Sequence, residues 1–250
     1  MESFDEKLKK LKDMIADSQS IVFFGGAGVS TESGIPDFRS KDGLYNQRDI
    51  QFEKYSPEYL LSHSCLVDNP KVFYEFYRQK LDVRGIEPNI THIKLAEMEK
   101  AGKLTAVITQ NIDGLHQKAG SQKVLEIHGT TMKNYCSKCG KIFPADYIFK
   151  SQGDYPVCSC GGMVRPDVTL YEEMLPEDAW AGSMRVLNNA DMLIIAGTSM
   201  TVYPAASLVT YFRGKYLVVI NRDPLRSLSG RKPDLVFQDS MGRVFEKLDF

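Results

Sequence analysis

At 250 residues, with 43% hydrophobic and 25% charged side chains, the chain has enough apolar mass for one large core, or a core and a small satellite lobe, without disulfides. A formal net charge of −1 gives no electrostatic footprint for nucleic acid or an acidic membrane surface, which leaves small molecules and proteins as partners. The N-terminal stretch mixes Glu, Asp and Lys with spaced apolar residues, and no apolar run approaches the ~20 residues of a membrane span, so neither an export signal nor a membrane anchor is expected and the cytoplasm is the expected location.

In chain order, Leu8, Leu11, Met14 and Ile15 form one apolar stripe of a first helix, and residues 21–24 read as a buried strand. A helix is predicted over 70–81, another over 93–100 ended by Gly102, a strand over 104–109, and a helix over 113–118 ended by Gly120. Further strands are predicted over 124–127, 192–196, 216–220 and 235–238, with a helix over 178–187. Several of these strands lack polar alternation, as strands covered on both faces do, and helices alternate with them. The pattern predicts an α/β fold, a Rossmann-type doubly wound parallel sheet. Two stretches break the alternation: 41–88, with the 70–81 helix, and 131–166, with the cysteines and several Gly and Pro. Both read as insertions that form a smaller lobe on a single catalytic domain of 1–250, the sheet being built from about 1–40, 89–130 and 167–250.

The strand ends carry the chemistry. Residue 24 runs into Gly25, Gly26, Ala27, Gly28, Val29, Ser30, where glycines let backbone amides approach a phosphate and a following helix would add its dipole. A dehydrogenase fingerprint wants Gly or Ala where this chain has Thr31, so a plain strand-to-loop turn fits the motif equally well on its own. In GIPDFR (34–39), Phe38 is suited to stacking on a flat ring and Arg39 to a phosphate or ribose, against the plain alternative that Phe38 plugs the core. The next junction, Gln110, Asn111, Ile112, Asp113, offers polar groups for ribose hydroxyls and a carboxamide, although either Asn111 or Asp113 alone would serve as a helix cap. His128 projects from the same edge, where an imidazole of ordinary pKa can take a hydroxyl proton near neutral pH, whereas His63, His92 and His116 read as structural. Gly197, Thr198, Ser199 and Asn221, Arg222, Asp223 follow later strands at that edge and suit a second nucleotide moiety, or simple caps and turns.

Cys136, Cys139, Cys158 and Cys160 form a CxxC pair, an 18-residue spacer and a CxC pair, with Cys65 alone elsewhere. Four clustered thiolates suit one tetrahedral structural zinc with no open position for a catalytic water; disulfide pairing is the alternative in an oxidising compartment.

Taken together, GAGVSTESGIPDFR, TQNIDGLHQKAG, the HG pair, the two cysteine pairs, GTS and VVINRD stand in the order and spacing of the sirtuin family, which the chain resembles from about Ile21 to its end. The resemblance implies an NAD-dependent protein-lysine deacylase with a Rossmann lobe and a smaller zinc-plus-helical lobe. It implies that Gly26, Ala27, Gly28, Thr31, Phe38 and Arg39 line the NAD site, with Phe38 shielding the ribose carbon from water. Gln110 and Asn111 would hold the ribose, Ile112 and Asp113 the carboxamide, and Gly197, Thr198, Ser199, Asn221 and Asp223 the adenosine half, closed near Ser240 and Met241. His128, with Asn111, would be catalytic: His128 as general base on a ribose hydroxyl, so that the acyl group ends on ADP-ribose. Acyl-lysine proteins would lie as an added strand against residues 168–171, from Val168 to Tyr171, and against Val202 and Tyr203.

Two departures narrow the expectation. Tyr171, Glu172, Glu173 stand where many members read phenylalanine-glycine-glutamate, adding an acidic group beside the groove that would favour basic flanking residues. Tyr74 is followed at the third position by Tyr77, not by the Arg that members removing succinyl groups carry, which points to acetyl or a longer neutral acyl group. The rival readings are a mono-ADP-ribosyltransferase using the same pocket, a nicotinamide dehydrogenase disfavoured by Thr31, and a zinc-ribbon module contacting nucleic acid through Lys133, Lys138 and Lys141, a weak footprint.

Overall fold

The computed structural model describes residues 2–47, 51–225, 228 and 230–250. Helix α1 (Phe4–Asp17) starts at a capping box in which Ser3 accepts from the Glu6 amide and Glu6 from the Ser3 amide, and it buries Leu11 and Ile15. Strand β1 (Ile21–Gly25) follows, then the short helices α2 (Pro57–Leu60) and α3 (His63–Asp68), then α4 (Pro70–Lys80) and α5 (Ile90–Lys100). The chain continues through β2 (Leu104–Thr109), α6 (Leu115–Lys118), β3 (Val124–Glu126), β4 (Gly129–Cys136), β5 (Ile142–Pro144), α7 (Ala145–Phe149) and β6 (Val164–Val168). It ends with α8 (Glu177–Asn189), β7 (Met192–Ala196), β8 (Tyr216–Ile220), β9 (Leu235–Phe237) and α9 (Met241–Phe245).

Six strands form one sheet in the order β3-β2-β1-β7-β8-β9, every neighbouring pair parallel. Counted within the sheet this is 3-2-1-4-5-6, the Rossmann order, with its topological switch between β1 and β7. All five residues of β1 and of β7 are buried. Alternate residues serve the two faces: Ile21 and Phe23 pack with Leu11, Leu95 and Phe245, while Val22 and Phe24 pack with Leu187, Leu208 and Phe212. β4, β5 and β6 form a separate antiparallel sheet, β4 in the middle. Its residues Cys136, Phe143 and Val164 share a third core with Phe73, Tyr74 and Tyr77 of α4, so the cysteine-bearing and helical segments bury a common interior.

Several bounds differ from the expectation for local reasons. α5 begins at Ile90, because Asn89 accepts from Thr91 and its own amide donates to His92 Nδ1, a cap that replaces the usual Glu with His. α6 begins at Leu115, whose amide donates to Asp113 Oδ1 at 2.9 Å. No α-helix follows β1 directly: residues Ala27–Val29 and Thr31–Ser33 make two 3₁₀ turns, and Gly34 (φ 91°) ends the second. The dipole expected from a helix at that place is therefore absent there.

Candidate active site

The carboxyl ends of β1, β2, β7 and β8 open into one cleft of about 1320 Å³, bounded on the other side by residues 168–173. That volume exceeds an ordinary single-ligand pocket and suits a dinucleotide together with a substrate side chain. Gly26, Ala27, Gly28, Thr31, Phe38, Arg39, Gln110, Asn111, Ile112, His128, Gly197, Thr198, Ser199, Asn221 and Asp223 all line it, as do Val168, Tyr171, Val202, Tyr203 and Met241.

Gly26 and Gly28 act here by close packing. A Cβ on Gly28 would lie 2.8 Å from both Cα and O of Gly197, and its amide donates to Gly197 O at 2.8 Å. The amides of Gly26, Val29 and Ser30 are likewise spent on Ala196, Gly26 and Ala27 carbonyls, so the loop brings β1 and β7 ends together rather than presenting a row of free N–H groups. The Ala27 amide alone in this turn has no internal acceptor among the described residues.

Behind the loop lies a buried relay. Ser30 Oγ donates to Asp113 Oδ2 at 2.6 Å and accepts from Asn111 Nδ2 at 3.0 Å. Asn111, one amide hydrogen of which goes to Ser30, is thereby fixed at the cleft wall. Asp113 sits behind the cleft wall, 7% exposed, its carboxylate shared between Ser30 and the Leu115 amide, and burial pushes its pKa up. Gln110 Nε2 donates to Thr198 Oγ1 at 3.0 Å, tying the end of β2 to that of β7. His128 Nδ1 meets the Gln110 carbonyl at 3.0 Å; a carbonyl only accepts, so Nδ1 carries the proton and Nε2 the lone pair. Burial pushes the His128 pKa below its ordinary value, and the Arg39 charge adds to this, against the Gln110 carbonyl, which opposes it.

The segment following β6 supplies the opposite wall. Tyr171 pairs its amide with Leu61 O and its carbonyl with the His63 amide, while its hydroxyl touches Arg39 Nη2 (3.1 Å) and the Tyr45 hydroxyl (3.0 Å). Glu172, at φ 76°, accepts from the Ser64 amide and hydroxyl. Glu173 is held by Arg165 at 2.6 and 2.9 Å and by the Leu170 amide. Glu172, the acidic group added beside the groove, thus lines the cleft with its carboxylate accepting from Ser64. Tyr74 and Tyr77 face the small-lobe core, Tyr74 donating to Val164 O at 2.7 Å, and it is Leu81 past the end of α4 that reaches the cleft. Sequence reasoning missed Ser30, Tyr45, Leu61 and Leu81; each is an ordinary residue type whose role comes from partners far along the chain.

The four cysteine sulfurs lie within 4.8 Å of one another, Cys136 to Cys160 at 3.5 Å and Cys139 to Cys158 at 3.8 Å. Tetrahedral zinc with thiolate ligands has sulfur–sulfur edges of about 3.8 Å, so the set fits a closed, structural zinc. Among the described residues no helix is long and apolar enough to cross a membrane.

A Rossmann sheet with its cleft at the switch point and a four-cysteine lobe across from it defines a dinucleotide-binding protein with a structural zinc module. A family model described as the Sir2 family matches residues 26–204, and the chain belongs to that family, the sirtuins. It is 50% identical over 246 residues to an NAD-dependent protein deacetylase of Clostridium perfringens, covering 98% of this chain and 99% of that one. The corresponding protein of Clostridium acetobutylicum is 49% identical over 242 residues, 96% and 97% of the two chains. Among solved structures, a Sir2 complex with a p53 peptide and NAD+ superposes with a TM-score of 0.81 at 34% identity, covering 96% of this chain and 95% of that one. A Sir2 enzyme bound to a propionylated peptide gives a TM-score of 0.82 at 32% identity, covering 96% of each.

Proposed function

We propose that this chain is a cytoplasmic NAD-dependent protein-lysine deacetylase that removes acetyl, or a longer neutral acyl group, and yields nicotinamide and O-acyl-ADP-ribose. Bound NAD would supply a ribose carbon made electrophilic by its nicotinamide leaving group. The chain's residues do the rest. Asn111 and Gln110 orient the ribose, the Ala27 amide and Arg39 meet the phosphates, and Thr198, Ser199, Asn221 and Asp223, with Gly197 beneath them, receive the adenosine half. Phe38 keeps water from the reacting carbon. Ile112 and Asp113 are assigned to the carboxamide, Asp113 being reached through the Ser30 relay. His128 Nε2 takes the proton of a ribose hydroxyl, and its neutral form is favoured by burial.

The observation that carries this reading is the tethered imidazole of His128 on the wall of a dinucleotide-sized cleft. An acyl-lysine peptide is placed extended between residues 168–171 and Val202 with Tyr203, the Tyr171 backbone on that side being paired with Leu61 and His63. Residues 1–40, 89–130 and 167–250 are assigned to the dinucleotide lobe, 41–88 to the helical insertion and 131–166 to the zinc module held by Cys136, Cys139, Cys158 and Cys160.

The test is stoichiometry: nicotinamide and deacetylated peptide should appear one for one. Nicotinamide release with the peptide still acetylated and ADP-ribose attached to protein would replace this reading with a mono-ADP-ribosyltransferase.

A further inference from the structure

We propose that the Tyr171 hydroxyl is a positioning group for the dinucleotide: by gripping Arg39 and Tyr45 at once it holds the loop of residues 35–47 folded, and the Arg39 guanidinium aimed, before NAD arrives; this rests on the deacylase reading above for the identity of the ligand. Both grips come from one oxygen. Arg39 Nη2 donates to it at 3.1 Å, and the Tyr45 oxygen lies 3.0 Å from it. Among the described residues, neither the Arg39 nor the Tyr45 side chain has a hydrogen bond to any other residue. Burial, with the Tyr171 contact adding to it, pushes the Tyr45 phenol above its ordinary value, so the two hydroxyls stay a neutral pair through the working range.

Arg39 and Tyr45 stand on opposite arms of the loop. The arms are joined by the Leu44 amide on Asp37 O at 2.7 Å and the Tyr45 amide on Phe38 O at 2.9 Å, and Asp37 Oδ1 accepts from the Arg39 and Ser40 amides. The Phe38 and Tyr45 rings meet edge to face at 5.4 Å, with the Arg39 guanidinium 5.6 Å from the Tyr45 ring centre. Since both arms meet at one oxygen, they cannot spread without breaking at least one of its hydrogen bonds. The far side of the contact is rigid: the Tyr171 amide and carbonyl are paired with Leu61 and His63 at 3.0 Å each, and the next two residues are held by Ser64 and Arg165. Arg39 gives Tyr171 one of its five N–H groups and keeps the others for the phosphates. A side chain ordered beforehand spares the ligand the entropy of ordering it, so affinity rises without a new ligand contact.

The experiment measures amide hydrogen exchange of the ligand-free protein and calorimetric ADP-ribose binding in wild type, Tyr171→Phe, Tyr45→Phe and the double variant. Tyr171→Phe removes both hydrogen bonds and should speed exchange of the Leu44 and Tyr45 amides at least about tenfold while the β1 and β7 amides keep their wild-type rates. It should weaken ADP-ribose about fivefold, the scale of immobilising one arginine on binding instead of beforehand. Tyr45→Phe keeps the grip on Arg39 and should speed the same two amides about fivefold with the smaller effect on ADP-ribose, and the double variant should match Tyr171→Phe, because Tyr45 has no other partner to lose. Wild-type exchange at Leu44 and Tyr45 in Tyr171→Phe overturns the inference, and so does a loosened loop that binds ADP-ribose as wild type does. Should Tyr171→Phe fail to fold, Tyr45→Phe decides: wild-type exchange in it overturns the tether. A wild type that binds no ADP-ribose overturns instead the reading on which the inference rests.

Discussion

His128 holds its proton on Nδ1 through the Gln110 carbonyl, and its burial disfavours the imidazolium. With the folded pKa below the ordinary 6.5, the base is neutral from that value upward and is lost only as pH falls through the lowered pKa. We therefore expect kcat/KM for an acetyl-lysine peptide to be flat around pH 7 to 8 and to fall with an inflection below 6.5; an inflection above it would contradict the assignment. Ser30 is the second residue on which the site depends. Ser30→Ala takes one hydrogen bond from Asn111 and one from the buried Asp113 carboxylate, which should cost about 1–3 kcal/mol of stability and raise KM for NAD. Denaturant unfolding that matches wild type would show the relay to be dispensable. The polar residues at 110–113 were legible in the sequence because they stand directly after the buried strand β2, and His128 because it closes the short apolar run that holds the half-buried β3. Ser30 was not, because its partners lie 81 and 83 residues away.

At the scale of elements, the loop after β1 is held by contact with the loop after β7. Gly28→Ala would set a methyl against Gly197 backbone at 2.8 Å, an overpacking expected to cost about 1–3 kcal/mol and to weaken ADP-ribose binding measured by calorimetry. Asn89 supports the same loop from α5, donating to Val29 O at 2.8 Å and Ser33 Oγ at 3.0 Å while capping its helix. The central strands could be read from their composition, because β1 and β7 are buried on both faces and carry only apolar side chains or Gly. β4 could not: in GTTMKNYC, residues Met132 and Lys133 are exposed between buried Thr131 and Asn134, so no period of two survives. Nor did the sequence reveal that two 3₁₀ turns replace a helix after β1, since Gly34 and Pro36 interrupt the run only after the glycines have matched a helix-entry pattern.

In the whole molecule, the cysteine sheet and α4 share a core that supports Leu170 and Tyr171 on the cleft wall. Purified protein should hold about one zinc per chain, and stripping it with a chelator should lower the melting temperature and activity together; unchanged melting after complete removal would deny zinc a structural role. His92 and His116 lie 4.7 Å apart between ring centres in the interior, and burial lowers their pKa values to about 4 and about 3, His92 adding to the effect at His116. Since the unfolded chain binds these protons near 6.5 and the folded chain does not, stability is present above that value and is lost as pH falls from it toward 4, which thermal melts across the range would record.

The central claim, that His128 drives transfer of the acyl group to ADP-ribose, is met most directly by mass spectrometry on NAD and an acetyl-lysine peptide incubated with wild type and with His128→Ala. Wild type should give deacetylated peptide, nicotinamide and O-acetyl-ADP-ribose, with the variant at least ~100-fold slower in all acetyl transfer. A variant that transfers acetyl at the wild-type rate, or a wild type that leaves NAD untouched across several acyl peptides, would contradict the account.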